Sequence, residues 1–308
     1  MSATTIHAER AQNIWSSFQR GVEPLARGAR IVPSPDVRFE EIGGLAQPKD
    51  EILTYAYAQT SPEVYSRWGT FPPSAMLMIG RRASGKALLA EALATHTEMA
   101  FLRIDVPRMV LDVLHGTGKV GELLRGWSSS LEEMPPTIVF FDELEFSQAH
   151  DMGRRAAELP TGPIMDFLLE LIDRAMAAPD TLVLGSTSYP DSLPHAFLAP
   201  GRFERVVEVN PSFPDDVIEA LRIHAARAEG LAARTIFGDI DWGKVVGHTS
   251  QPSIGDWIRM LHAVLRRKAR QEAAGETPEP VSNADFAREV ERLRQAHVRI
   301  HMDGGNYL

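Results

Sequence analysis

The chain has 308 residues, 44% hydrophobic and 24% charged, with a formal net charge of -9 at pH 7 and no cysteine. That length accommodates one large domain and a smaller one, each burying its own core, and the missing cysteines exclude disulfides, thiol catalysis and thiolate metal sites. The acidic balance gives no general reason to expect nucleic acid or an anionic membrane as partner, and the polar start Met1 to His7, with no long uncharged apolar run after it, reads as cytoplasmic.

In chain order, Ala11, Ile14, Trp15 and Phe18 recur at the spacing of one helix face, with Pro24 beyond its end. The stripe either packs on the main domain or docks a partner chain. Ile31 to Asp36 reads as an extended linker, because its prolines disfavour helix for themselves and for the residue before. Val37 to Leu45 follows, including Ile42-Gly43-Gly44, where the glycine pair alone is a turn signal. A helix-like segment then runs to about Tyr65, and Phe71-Pro72-Pro73 makes a turn.

The chain is organised around the next stretch. An apolar run, Met76 to Ile79, leads into Gly80-Arg81-Arg82-Ala83-Ser84-Gly85-Lys86-Ala87, and a helical run starts at Leu88. Strand, glycine loop with a lysine, then helix is the setting in which backbone N–H groups surround a phosphate chain and Lys86 reaches its terminal oxygens. The loop is nearly a Walker A motif. Its last position should carry a Ser or Thr hydroxyl for Mg2+, and Ala87 stands there instead.

Thr137 to Phe141 is a continuous apolar run suited to a strand buried on both faces, ending in Asp142-Glu143. Such acids are either helix caps or carboxylates facing a phosphate site at the carboxyl edge of a parallel sheet. Leu182 to Ser188 is a second buried-strand run, followed by Pro200-Gly201-Arg202-Phe203-Glu204-Arg205; an arginine pair by itself is ordinary surface charge. After Pro211 the pattern is helical only: 215–229, 240–247, 253–271 and 283–300, the last with Phe286, Val290, Leu293 and Ile300 as its stripe and Ser282 or Asn283 as N-cap. Arg266-Arg267-Lys268 reads as a solvated helix face.

Taken together, these motifs resemble the AAA family of ATPases over roughly residues 37–300. The resemblance implies an α/β fold: a parallel-sheet P-loop NTPase core (AAA+) over 37–210 and a small all-α lid over 211–300, with an N-terminal helix and linker over 1–36 and a tail over 301–308. It implies ATP and Mg2+ as cofactors. Ile42 and Gly43 would border the adenine, and Gly80, Arg81, Arg82, Ala83, Ser84, Gly85, Lys86, Ala87 and Leu88 would hold the phosphates. Asp142 would hold the magnesium, Glu143 would polarise the attacking water, and Ser188 would stand where an asparagine normally positions that water. Arg202 and Arg205 match the fingers that a ring neighbour inserts into the nucleotide site.

The departures are specific. Ala83 replaces a loop glycine, Ala87 the hydroxyl and Ser188 the asparagine; Leu114 occupies the aromatic position of the pore loop; and Gln251 to Asp256 lacks the first glycine of the lid motif. Losing one such donor costs about 2 to 4 kcal/mol of transition-state stabilisation, so slow hydrolysis with retained ATP binding is expected. The implied partners are further copies of the chain in a ring, a hexamer, and a protein substrate. The terminus Gly305-Asn306-Tyr307-Leu308 is either a frayed end or, by its resemblance to bacterial proteasomal ATPases, a signal whose Tyr307 and Leu308 dock to a proteasome core particle. The alternative is a weakened pseudo-ATPase serving a companion ATPase as regulatory subunit or adaptor.

Overall fold

Five parallel strands and one antiparallel edge strand make a single sheet in the order β1-β3-β4-β5-β2-β6. They are β1 (Ala29–Val32), β2 (Ala75–Ile79), β3 (Ala100–Asp105), β4 (Thr137–Asp142), β5 (Thr181–Thr187) and β6 (Arg205–Glu208). The computed structural model describes residues 3–21, 25, 28–115, 120–146, 161–247 and 252–303. Contacts divide the chain into two units, Met1–Phe39 with Ala46–Asn210, and Glu40–Leu45 with Pro211–Leu308.

In the first unit, the central strands β4 and β5 are buried almost throughout, as continuous Ile/Val/Leu/Phe runs require when helices cover both faces. β1 corrects the linker reading of residues 31–36. Ala29–Val32 pairs antiparallel with β3, Ile31 is buried, and Pro33, which has no N–H to give a ladder, follows the last strand residue. The helices here are α1 (Ala3–Gly21), α2 (Ala46–Thr60), α3 (Pro62–Arg67), α4 (Lys86–His96), α5 (Val106–His115), α6 (Val120–Glu133) and α7 (Thr161–Ala177). The stripe on α1 packs on this unit: Trp15 and Phe18 are buried, and their rings meet Trp127 of α6 at 6.3 and 6.2 Å. Leu114 falls near the end of α5, and Gly116 lies outside the described residues.

The second unit is α8 (Asp215–Ala232), α9 (Trp242–Val246), α10 (Ile254–Ala273) and α11 (Asn283–Asp303) around Leu221, Trp257, Leu261 and Phe286. Trp242 stacks edge-on against Phe286 at 5.5 Å. The remnant of the lid motif has a local job: Ser253 and Asp256 form a capping box that satisfies the first N–H groups of α10. Residues 40–45 belong to this unit because Gly43 lies so close to α8 that a Cβ would sit 2.3 Å from Ala220 Cα, while the Leu45 N–H donates to Asp216 Oδ2 at 3.1 Å.

The basic triplet is not a wholly solvated face. Arg267 and Lys268 turn inward to Asp285, which is 2% exposed, and Arg267 also reaches Glu289 at 3.2 Å. Burial acts to raise the Asp285 carboxyl, but the Ser282 amide, Lys268 and Arg288 outweigh it and hold the group at about 2.

Candidate functional site

The lysine loop begins where β2 ends. Gly80 donates to Thr187 O at 3.2 Å in a left-handed conformation (φ +152°), and a Cβ there would lie 2.3 Å from Val209 O, so only glycine fits. Ala83 adopts φ +58°, a left-handed conformation that favours glycine. Gly85, at φ +110°, is the N-cap of α4 and offers no side-chain cap, which leaves the first-turn N–H groups of that helix unclaimed by any capping side chain.

Lys86 is 7% exposed. Its Nζ donates to Gly80 O at 2.6 Å, Arg81 O at 2.9 Å and Ser188 Oγ at 3.1 Å. Burial lowers its pKa, while Asp142, Glu145 and Glu143 act in the opposite sense. Arg81, Arg82, Ala83 and Leu88 are exposed, Gly85 and Ala87 are half-buried, and the buried Ser84 Oγ has no hydrogen-bond partner among the described residues.

Because β2, β5 and β4 are neighbours, their carboxyl ends bring together the loop, Ser188 and the acid pair, the place where open parallel sheets hold ligands. Asp142 accepts from Ser186 Oγ and from Arg103 Nη2, each at 2.5 Å. Glu143 sits at φ +59°, donates its N–H to Ser186 Oγ at 3.2 Å and pairs with Arg82 at 3.3 Å. Burial raises its pKa, Arg82 opposes this, and Asp142 and Glu145 reinforce it. Glu145, buried and not anticipated from sequence, accepts the Ser188 N–H at 2.9 Å through Oε1, while Oε2 has no partner among the described residues. Lys86, Ser188 and Glu145 are thus one hydrogen-bonded chain.

Arg202 and Arg205 are not part of this cluster. Arg205 opens β6 opposite Met76, three residues before Ile79, which places its Cα about 10 Å back along the strands from the loop. It pairs with Glu51 at 2.8 Å. Arg202 makes a two-pronged pair with Asp173 of α7, both contacts 2.8 Å, and donates to Ala196 O at 2.7 Å; the Asp173 hydrogen bonds raise its pKa further. Ile42 and Gly43 belong to the helical unit, and Tyr307 and Leu308 lie outside the described residues.

The donor set does not fit a magnesium ion held by the protein. Ala87 offers no side-chain oxygen, both Asp142 oxygens are engaged, and no cluster of three His, Asp or Glu among the described residues could hold a metal. The phosphate half of the site fits its ligand better: an uncapped helix start, a buried ammonium and a buried hydroxyl without a partner converge on one loop. Among the described residues no helix is long and apolar enough to cross a membrane.

Comparison with known proteins adds the lineage. The family described as "ATPase family associated with various cellular activities (AAA)" matches residues 76–211. The proteasome-activating nucleotidase of Methanocaldococcus jannaschii is 29% identical over 277 residues, 88% of this chain and 60% of that protein. Its counterpart from Methanothermobacter thermautotrophicus is 31% identical over 210 residues, 66% of this chain and 50% of that protein. The cell division cycle protein 48 homolog of Archaeoglobus fulgidus is 30% identical over 207 residues, 67% of this chain and 28% of that protein. The chain therefore spans 60% or less of the length of these curated relatives. With the sheet order and lysine loop already in place, the match over residues 76–211 means that the chain carries an AAA-family ATPase domain.

Proposed function

We propose that the chain is an ATP hydrolase of this family that binds ATP at the Lys86 loop, turns it over slowly, and acts on protein substrates from the subunit interfaces of a ring, a hexamer. The observation that carries this reading is the buried Lys86 at the carboxyl edge of the sheet, beside Asp142 and Glu143 and linked through Ser188 to Glu145. Lys86 and the α4 amides hold the phosphates, and Glu143 orients the attacking water. Mg2+ would accompany the nucleotide as its counter-ion, with no side chain of the Lys86 loop to hold it. The offset of Arg205 along the strands, and the pairing of Arg202 with Asp173 away from the Lys86 cluster, support their acting on a neighbour's nucleotide. Slow turnover is supported by Ala87, by Ser188 in place of asparagine and by the Arg82–Glu143 pair.

The names of the nucleotidase relatives support a proteasome as the destination of the substrates, with Tyr307 and Leu308 as the docking residues. A second reading, a nucleotide-binding adaptor that depends on a companion ATPase, is favoured by the fact that both site acids are already paired with arginine. Turnover of purified protein separates the two. Hydrolysis that falls about 100-fold in Glu143→Gln supports the enzyme; a residual rate untouched by that substitution removes it. Loss of co-purification with a proteasome core on deleting Tyr307 and Leu308 tests the docking role.

A further inference from the structure

Arg103 is the unusual group at the site. It is the lone charge within the run Ala100 to Ile104 of β3, and it lies on the face it shares with Asp105. In the β3/β4 register Arg103 lies opposite Phe140 and Asp105 opposite Asp142, so Arg103 and Asp142 are diagonal neighbours on one face. The guanidinium closes that diagonal with a 2.5 Å contact, and the second carboxylate oxygen is taken by Ser186. A carboxylate beside a phosphate site repels the polyanion unless a cation stands between them, and Ala87 removes the side chain that would help to hold a metal there.

Resting on the reading that ATP binds at the Lys86 loop, we propose that Arg103 is the fixed cation of this site: it neutralises Asp142 from within the chain, so that the nucleotide binds with little dependence on a divalent metal. Arg103 is a positioning residue here, acting through Asp142. A guanidinium differs from a metal in one further respect: it is delivered with the fold and is not lost to a chelator.

The test is calorimetric titration of the full chain with ATP, once with excess magnesium and once with excess EDTA, for the wild type, Arg103→Ala, Arg103→Lys and the double variant Arg103→Ala with Asp142→Asn. The wild type is expected to bind with dissociation constants within about threefold of each other in the two conditions. Arg103→Ala should lose more than tenfold in EDTA and recover in magnesium, Arg103→Lys should retain most of the wild-type behaviour, and the double variant should again be indifferent to the metal. Half of the Arg103 side chain is exposed, so its removal spares the core, and thermal midpoints verify that the variants fold. A wild type that loses more than tenfold in EDTA overturns the inference, as does an Arg103→Ala variant that remains indifferent to the metal. Absence of ATP binding in both conditions removes the nucleotide reading itself, and this inference with it.

Discussion

Two carboxylates, Asp142 at the sheet edge and Asp285 in the helical unit, are both paired with cations, one for Asp142 and three for Asp285, and their surroundings differ in completeness. Asp285 receives the Ser282 N–H and Oγ, Lys268 at 3.1 Å, Arg267 and Arg288, and Arg267 is further held by Glu289. Its network closes on itself. Around Asp142 the network runs only to Ser186, Glu143 and Arg103, and at the same sheet edge Ser84 Oγ and Glu145 Oε2 are buried without partners among the described residues. Buried polar groups are nearly always satisfied, so a closed cluster is one that holds a fold together, and an open one is where a ligand is expected.

The comparison is broken most severely at the closed end. Asp285→Ala strands two half-buried cations and should cost about 3 to 5 kcal/mol, read from denaturant unfolding of the helical unit. The same group sets an acid limit. Because its folded pKa of about 2 lies below the ordinary 3.8, its contribution, about 2 kcal/mol, is present above pH 4 and lost as pH falls through 2; a thermal midpoint flat across that window contradicts the assignment. Lys86→Met should behave in the opposite way: ATP affinity drops roughly 30-fold, about 2 kcal/mol, while thermal stability is unchanged or slightly higher, since burial of an ammonium is unfavourable in itself. Ala87→Thr restores the absent hydroxyl and should raise turnover about tenfold in magnesium. Ala83→Gly is the mildest change; relief at φ +58° minus the backbone entropy of glycine leaves about 0.5 to 1 kcal/mol of stabilisation, a rise in midpoint of about 2 °C.

What the sequence disclosed was whatever is written in consecutive residues. The apolar runs gave β2, β4 and β5, the glycine-lysine loop gave the start of α4, and the 3.6-residue stripes gave the helical unit. Arg103, Ser186, Glu145 and Asp173 are not legible in the sequence because their roles arise only when strand register or helix packing sets them against a distant partner; Arg103 and Asp142 are 39 residues apart. The hidden function of Arg267 and Lys268 has the same cause, since a basic triplet on a helix looks solvated until α11 supplies Asp285 and Glu289. β1 reads as a linker because the prolines after it announce an extended chain, whereas its pairing with β3 depends on residues some 70 positions away. Glycine at position 43 could be seen as a turn signal, but its contact with Ala220 could not.

The chain also contains its own optical reporters. Of its five tryptophans, Trp15 and Trp127 are sealed in the sheet-bearing unit and Trp257 in the helical one. Single-indole versions would therefore give each half a separate emission signal, and melting curves recorded through them would reveal whether the two halves come apart in one step or in two.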